Sequence, residues 1–362
     1  MIIPKVPESF KTSDYIKNAR MTWIKHTETG DMWPTVWADD GYLYAGAGDN
    51  CGTVGKNLPF SPMNFWRASG DPKNPDVELI NHFPADPKLY CQGEDIIHEH
   101  GIKPAGLICL DGVIYMSVQN LNYFGPPEFT RQHNVNGWIT TSHDYGVTWN
   151  IEATPQDFFT GRVSSCHFIQ FGQGNNCVMD DGYVWAYFPC GLDSDDSWWC
   201  NGDGMLLGRV KPEQMMTREA WEFFTGTDEN NEPQFSSDSY KAVSVFTYTR
   251  FTGENHVSYN PYIKRYIMGN YAFYNPKTGE ARSYHTEPYR EYITQLTLFE
   301  SEYPWGPWKL FYQDDDWLIG GYQPTFPLNW MNPDGKSMVM LGSGNDEYYC
   351  FITQGLEYDL NL

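Results

Sequence analysis

Short alternations of apolar and polar residues, separated by turn residues, run along most of the chain and predict β-strands rather than helices. The clearest case is the segment from Asp31 to Asp49, DMWPTVWADDGYLYAGAGD, in which two aromatic-rich runs flank Asp40-Gly41. An Asp-Gly pair between two such runs is a strong signal for a β-hairpin. Because a hairpin brings the chain back to the side from which it started, we expect Asp31 and Asp49 to lie close together.

The same turn signal returns along the chain and indicates a repeat. A second pair of strand-like runs follows each hairpin, so the pattern predicts five units of four strands, which are the blades of a β-propeller. The turns of the five hairpins are Asp40-Gly41, Asp111-Gly112, Asp181-Gly182, Asn260-Pro261 and Asp334-Gly335.

We therefore predict an all-β fold, a five-bladed β-propeller of four-stranded antiparallel blades in one domain, residues 1–362. The fifth unit is one strand short, and TWIKHTE, residues 22–28, is the N-terminal strand expected to close the ring. A four-bladed ring or a pair of β-sandwiches is the alternative. The segment 211–224, KPEQMMTREAWEFF, is the best candidate for a short helix. The predicted blades are roughly 29–90, 91–155, 156–235, 236–315, and 316–362 with 15–28.

Composition agrees with this prediction and narrows the choice of partner. Aromatic residues make up 17% of the chain and charged residues 19%, with 33 Gly and 24 Pro, which favours many short strands. The formal net charge of -22 repels phosphate backbones and anionic membrane surfaces, so neither nucleic acid nor a membrane is expected as a partner. A neutral carbohydrate is the expected partner. The alternative is that the acidity only keeps the protein soluble. The pattern carries no signal for oligomeric state.

Cysteine usage and the N-terminal sequence bear on the compartment. The eight cysteines contain no CxxC pair, which disfavours a zinc ribbon, and several fall in strand-like runs where a free thiol acts as a small buried hydrophobe. The N-terminus lacks the apolar core and small-residue cleavage site of a signal peptide. The sequence thus predicts a cytoplasmic protein, or a secreted one if a leader has been removed.

A second motif independently favours a propeller. Ser142 to Trp149, SHDYGVTW, matches the S-x-D-x-G-x-T-W pattern of the Asp-box of sialidase-like propellers. In such a turn Asp144 hydrogen-bonds the loop backbone, Gly146 supplies a positive φ angle and Trp149 packs beneath. The expected place is the turn between the third and fourth strands of a blade, so Asp144 is structural and not catalytic.

Candidate chemistry is expected where the first strand of every blade begins, because these ends converge at the propeller axis. The loops that leave the second strands share that rim. Polar residues in these segments are Asp31, Asp49, Glu94, Asp95, His98, Glu99, His100, Lys103, Arg162, His167, Glu254, His256 and Tyr322. Within these segments we predict catalytic roles for Asp31, Asp49 and Glu99. We predict substrate-binding roles for Trp33, Glu94, His98, Lys103, Arg162, His167, His256 and Tyr322.

Two neighbouring carboxylates are what glycosidic bond hydrolysis needs. One protonates the leaving oxygen, and the other attacks the sugar or activates water. Glu99 or Glu94 could replace either aspartate as the partner, and Lys103 or Arg162 would stabilise a carboxylate or bind sugar hydroxyls. An aspartate held in a purely structural ion pair would not fit this scheme.

No cofactor is predicted, although two segments could bind metal. His98-Glu99-His100, joined by His167 or His256 from other blades, could form a zinc site. The run Asp193, Asp195 and Asp196 resembles a calcium-binding loop only loosely, so a structural calcium is the most that it suggests.

Several phrases resemble one known family. GDMW (30–33), AGAGDN (45–50), VSYNPYIKRYIM (257–268) and SEYPWGPWKLF (301–311) are similar to the five-bladed propeller family that includes the endo-D-arabinanases of glycoside hydrolase family 183. The resemblance implies an enzyme that cleaves furanose-containing or related polysaccharides, with Asp31 and Asp49 as its carboxylates.

Two other functions are compatible with the sequence. A polysaccharide lyase would use a tyrosine or histidine base on a uronic acid. Such an enzyme needs a strongly basic site to bind the uronate, which is less expected in a chain with 24 Lys and Arg against 46 Asp and Glu. A non-catalytic carbohydrate-binding propeller would present rim aromatics such as Trp33, Tyr123, Trp198 and Tyr322 without paired acids.

Overall fold

The chain folds almost entirely into β-strands. The computed structural model describes residues 1–53, 58–83, 101–121, 133–176, 181–282, 292–344 and 350–361. Two strands precede the first blade in sequence, β1 (Lys11–Thr12) and β2 (Ile16–Thr29).

Five sheets form the blades of a propeller, as the repeat predicted. Blade 1 contains β3 (Asp31–Trp37), β4 (Leu43–Asn50), β5 (Ser61–Ser69) and β6 (Asp76–His82). Blade 2 contains β7 (Ile102–Leu110), β8 (Val113–Leu121), β9 (Asn134–Ser142) and β10 (Phe159–Thr160). Blade 3 contains β11 (His167–Phe168), β12 (Val184–Cys190), β13 (Gly202–Val210), β14 (Glu222–Thr227), β15 (Pro233–Ser236) and β16 (Phe246–Thr252). Blade 4 contains β17 (His256–Asn260), β18 (Arg265–Tyr274), β19 (Ile293–Ser301) and β20 (Lys309–Asp314), and blade 5 contains β21 (Tyr322–Thr325), β22 (Ser337–Ser343) and β23 (Cys350–Leu360).

The ring is closed by a strand from the opposite end of the chain. β2 pairs antiparallel with β23 and supplies the fourth strand of blade 5, which confirms the predicted role of residues 22–28. β1 adds to the outer edge of blade 4 by pairing in parallel with β20. Both edges of the C-terminal strand are therefore hydrogen-bonded, and the last blade has the same strand number as the first.

Burial along each strand reflects its distance from the axis. β12 is buried at every position because both of its faces pack against neighbouring blades. The outermost strand β2 instead alternates between less and more exposed residues over most of its length, as expected for a strand with one face in water. Apolar side chains consequently form separate clusters between successive blades, and the cluster between blades 1 and 5 contains Trp33, Trp66 and Phe351.

The hairpin turn of blade 2 has the backbone geometry that its residues predicted. Leu110 pairs with Val113, and the two residues between them, Asp111 and Gly112, have φ angles of 49° and 76°. Positive φ at both central positions is typical of the two-residue turns that match strand twist. The fourth hairpin follows Asn260 as predicted, and Asn260 pairs with Arg265.

The helix predicted for residues 211–224 is wrong. This segment contains two single 3-10 turns, Pro212–Gln214 and Arg218–Ala220, and then enters β14 at Glu222. Trp221 and Phe223 are buried between blades, and this tertiary packing overrides the local helical preference. Other 3-10 turns are Gly161–Val163, Gln173–Asn175, Ser239–Lys241, Trp317–Ile319 and Leu328–Trp330. Among the described residues, none of the helices has the length and apolar character needed to span a bilayer.

The loop after β9 makes the contacts expected for Ser142 to Trp149. Asp144 Oδ1 accepts hydrogen bonds from the Thr148 backbone N–H (2.8 Å) and the Ser142 hydroxyl (2.9 Å). Gly146 has a φ of +91°, and Trp149 Nε1 donates to its carbonyl oxygen. Asp144 is thus engaged in its own turn, between the third and fourth strands of blade 2.

Close approach between blades 2 and 3 provides a test of this packing. A Cβ added to Gly137 would lie 2.2 Å from the Ser164 carbonyl oxygen, so Gly137→Ala should destabilise the fold by about 1–3 kcal/mol. Denaturant unfolding measures this, with Gly202→Ala as the control, where an added Cβ meets nothing nearer than 3.4 Å and the backbone has no positive φ, so no destabilisation is expected. Equal effects of the two changes would contradict the proposed crowding.

Candidate active site

The first strand of every blade carries a predicted site residue at its first or second position. Asp31, His167, His256 and Tyr322 are the first residues of β3, β11, β17 and β21, and Lys103 is the second residue of β7. The propeller therefore brings five residues that are distant in sequence to one end of its axis. Glu94, His98 and Glu99, like Asp95, His100 and Tyr123, lie outside the described residues.

Asp31 and Asp49 occupy neighbouring positions at this end of blade 1. Asp31 pairs with Gly48 across β3 and β4, and Asp49 is the next residue along β4. A Cβ on Gly48 would lie 2.1 Å from Asp31 Oδ1 and 2.9 Å from Lys103 Cδ. Glycine at position 48 therefore leaves the space in which the Asp31 carboxylate and the Lys103 side chain meet.

The backbone around both aspartates is strained. Met32, Trp33 and Asp49 have φ angles of 73°, 65° and 23°, which side chains other than glycine rarely adopt. The register between β3 and β4 also shifts between Met32 and Thr35. Strained conformations persist only where the surrounding structure enforces them, and they concentrate at functional sites.

Contacts from two other blades hold the aspartates. The Tyr322 hydroxyl of blade 5 donates to Asp31 Oδ2 (3.0 Å), and Asp31 is 5% exposed. Lys103 Nζ of blade 2 forms an ion pair with Asp49 Oδ1, in which the lysine side chain is 3% exposed and the aspartate side chain 24%. The pair is thus buried on its cationic side and open to solvent on its acidic side, so Asp49 is held by Lys103 and still accessible.

Glu254, just before β17, is fully buried at the centre of a polar cluster. Its Oε2 accepts hydrogen bonds from Gln119 Nε2 (2.9 Å) and Gln323 Nε2 (2.6 Å). Its Oε1 accepts from Asn134 Nδ2 (3.1 Å) and the Ser165 hydroxyl (3.2 Å). These four donors come from blades 2 and 5 and from the entrance to blade 3, so the carboxyl group of Glu254 joins four of the five blades.

Burial changes the protonation of this cluster. It raises the pKa of Glu254 to about 8, although the four donors act in the opposite direction. It lowers the pKa of His256 to about 3, and burial followed by the neighbouring His256 lowers the pKa of His167 well below its usual range. At neutral pH the two histidines are therefore uncharged, and the carboxyl group of Glu254 holds its proton.

The histidines lie beside this carboxyl group and contact each other. Ser165 Oγ lies 2.8 Å from His167 Nε2, and the His167 and His256 rings are edge to face with centroids 5.0 Å apart. Both side chains are buried, with His167 at 1% and His256 at 7% exposure. Within the described ranges there is no group of three or more His, Cys, Asp or Glu residues that could hold a metal ion.

Two predicted residues lie apart from these axial contacts. Trp33 is 0% exposed, packs against Trp66 and Phe351 and donates from Nε1 to the Cys350 carbonyl oxygen (3.1 Å). A fully buried indole cannot stack on a substrate, so the predicted binding role of Trp33 is corrected to a core role. Arg162 is near blade 3, where its backbone N–H donates to Asp195 and its side chain lies beside the Cys190 thiol.

The sequence did not predict the polar cluster itself, although Glu254 was among the residues expected at the axis. Gln119, Asn134, Ser165 and Gln323 are neutral polar residues within otherwise apolar strand ends, and no spacing connects them. Their shared signal is position, since each lies where a strand enters or leaves the axial end. Burial of a carboxyl group then makes such donors necessary.

Comparisons with known proteins support the fold. The chain is similar in structure to a Bacteroides ovatus protein named as a candidate hydrolase, with a TM-score of 0.56 and 10% identity over 98% of this chain and 96% of that chain. It is also similar to the GH43_1 enzyme from Xanthomonas citri complexed with xylotriose, with a TM-score of 0.50 and 11% identity over 91% and 87%. No protein-family model matches the chain, and no curated protein sequence matches it. At these identities the likeness defines a five-bladed propeller, and the resemblance to family 183 stays a prediction.

The raised pKa of Glu254 predicts a pH-dependent stability. Between about pH 4.5 and pH 8 the folded chain keeps a proton that the unfolded chain releases, so rising pH favours unfolding through this group. Relative to Glu254→Gln, wild-type unfolding free energy should fall by up to about 1.4 kcal/mol per pH unit across this interval.

Urea unfolding of both proteins at pH 5, 6, 7 and 8 measures the difference. Glu213→Gln, at an exposed position, is the matched control and should follow the wild type. A difference that does not change with pH would mean that Glu254 is ionised throughout.

Proposed function

We propose that the protein is a glycoside hydrolase that cleaves furanose-containing or related poly- or oligosaccharides with Asp31 and Asp49 as its two carboxyl groups. The observation that carries the proposal is their placement: two acids at neighbouring positions of one strained hairpin rim, at the axial end where all five first strands begin. A purely structural pair would not need a solvent-accessible carboxylate on a strained backbone.

The two aspartates have different surroundings, which supports different roles. The Lys103 ammonium stabilises the negative charge of Asp49, so Asp49 is proposed as the carboxylate that attacks the anomeric carbon or activates water. Asp31 is buried and accepts a hydrogen bond from the Tyr322 hydroxyl, and it is proposed to protonate the leaving oxygen. Glu99 stays a predicted third acid.

The remaining axial residues are proposed to hold the two aspartates and the inner strands in place. Tyr322 orients Asp31 through its hydroxyl hydrogen bond, and Lys103 positions Asp49. The cluster of Glu254, His167 and His256 is closed to solvent and is proposed to hold the inner strands in register beneath the acids. The direct substrate contacts expected of the two histidines stay a prediction.

The expected substrate is uncharged. A net charge of -22 disfavours polyanions, and the similar Xanthomonas citri enzyme was solved with a neutral trisaccharide, xylotriose. The same charge also makes a uronate-directed lyase a weaker choice.

Replacing either acid should abolish hydrolysis without unfolding the chain. Asp31→Asn and Asp49→Asn are expected to lower kcat/KM by about 10²- to 10⁴-fold, because each removes one half of the acid-base pair. Reducing-sugar release from a panel of arabinans, xylans and their oligosaccharides measures this. Asp111→Asn, the same change in an exposed turn of blade 2, is the control and should be fully active.

The outcome also separates an enzyme from a binding protein. Full activity in both variants would remove the aspartates from the mechanism. Glycan binding by the wild type without hydrolysis of any panel member would instead support a non-catalytic propeller.

Lys103 offers an independent test of the role given to Asp49. Lys103→Met keeps a long side chain and removes the cation, so the ionised carboxylate loses its partner. We expect kcat/KM on the same glycan panel to fall. An unchanged kcat/KM would mean that Lys103 serves only to join blades 1 and 2.

A further inference from the structure

A cleft of about 440 Å³ lies between blades 1 and 5, away from the axial site. Its walls come from β2, from the turn between β5 and β6, and from the chain around β22 and β23. Gly70 at its edge follows β5, and Ala68 of β5 pairs with Leu43 at the start of β4. Asp49 is at the other end of β4, about 20 Å away at the rise of a β-strand. The cleft and the acids are therefore at opposite ends of blade 1.

Two tryptophans form its apolar surfaces. Trp23 is on β2, and a Cβ on Gly355 would lie 2.1 Å from Trp23 Nε1, so the indole rests directly on the backbone of β23. Trp330, at 8% exposure, contributes the second aromatic wall. Because the indole of Trp23 is supported by backbone, it is a preformed binding surface.

Polar groups occupy the rest of the cleft. Lys73 Nζ lies 5.7 Å from the centre of the Trp23 ring, on an exposed turn that Thr353 holds by donating to the Pro72 carbonyl oxygen (2.7 Å). Asn329 also lines the cleft, and its Oδ1 is buried in the wall and accepts no hydrogen bond from the described part of the chain.

These features together select one class of ligand. An aromatic face next to an ammonium group suits the apolar face and hydroxyl groups of a sugar, since a hydroxyl can accept a hydrogen bond from Lys73 Nζ. A lipid-like ligand would leave these polar groups unpaired. A polyanion would meet Glu357 on the lining and the acidity of the whole chain.

We propose that this cleft is a second carbohydrate-binding site, which holds an uncharged sugar unit of a glycan at a distance from the acids. The proposal rests on the proposed function only for the choice of glycan, because binding in the cleft requires no hydrolysis. In an enzyme acting on polymers, such a site raises the local concentration of substrate at the axial end.

Methyl NMR of methionine separates the two sites. Met331 lines the cleft and Met32 lies beside Asp31, so their methyl signals report the two regions independently. The Asp49→Asn protein is titrated with arabinotriose and with xylotriose. A saturable shift of the Met331 signal with at least one of them is expected, and its absence with both overturns the proposal.

Variants identify the surface responsible. Trp23→Ala should weaken the binding reported by Met331 by about tenfold and leave Met32 unchanged. Trp305→Ala, a partly buried tryptophan of the segment before β20, should change neither. Should Trp23→Ala not fold, Lys73→Ala on the exposed turn is expected to weaken the same binding by about threefold. Undiminished binding in the folded cleft variants would overturn the proposal.

Hydrolysis is measured separately on the wild-type protein. A Met331 shift without hydrolysis supports the cleft and contradicts the proposed enzyme. Hydrolysis without a Met331 shift supports the enzyme and contradicts the cleft.

Discussion

The buried carboxyl group of Glu254 is the contact on which the centre of this propeller depends. It accepts hydrogen bonds from Gln119, Asn134, Ser165 and Gln323, and so joins blades 2, 3 and 5 to its own blade 4. A carboxyl group without such partners would be costly to bury, and donors without an acceptor would be costly too. Blade 1 joins the others through Asp31 with Tyr322 and Asp49 with Lys103. The inner ends of the blades are thus connected by polar contacts, whereas their bodies are connected by apolar clusters.

This arrangement gives the carboxyl groups at the axial end different surroundings. Glu254 is enclosed by four amide and hydroxyl groups, whereas Asp49 faces a single ammonium and remains partly open to water. Asp31 is buried against a phenol and the empty side of Gly48. Three carboxyl groups near one axis therefore have three different environments, which is how proteins assign different protonation states to chemically equal groups.

Much of the architecture could be predicted because the relevant signals are local. Each hairpin is encoded by its own turn residues, such as Asp111-Gly112, and the missing fourth strand of the last unit pointed to residues 22–28. The helix predicted at 211–224 failed because burial of Trp221 between blades is not visible in a local pattern. The axial positions of Asp31, Lys103, His167, His256 and Tyr322 followed from topology alone. Their burial did not follow, since each of the five is at most 7% exposed and the neighbouring Trp33 is fully buried.

The pairing of β2 with β23 has a consequence for biosynthesis. The ribosome makes β2 before β3 to β22 and makes β23 after them, so residues 16–29 have no partner until those strands have been synthesised. Before β23 is made, β2 cannot join blade 5, and the contact of Trp33 with Phe351 cannot form. The chain thus carries β2 without its partner while blades 1 to 4 are made, and the acid-bearing hairpin reaches its final surroundings only once β23 is present.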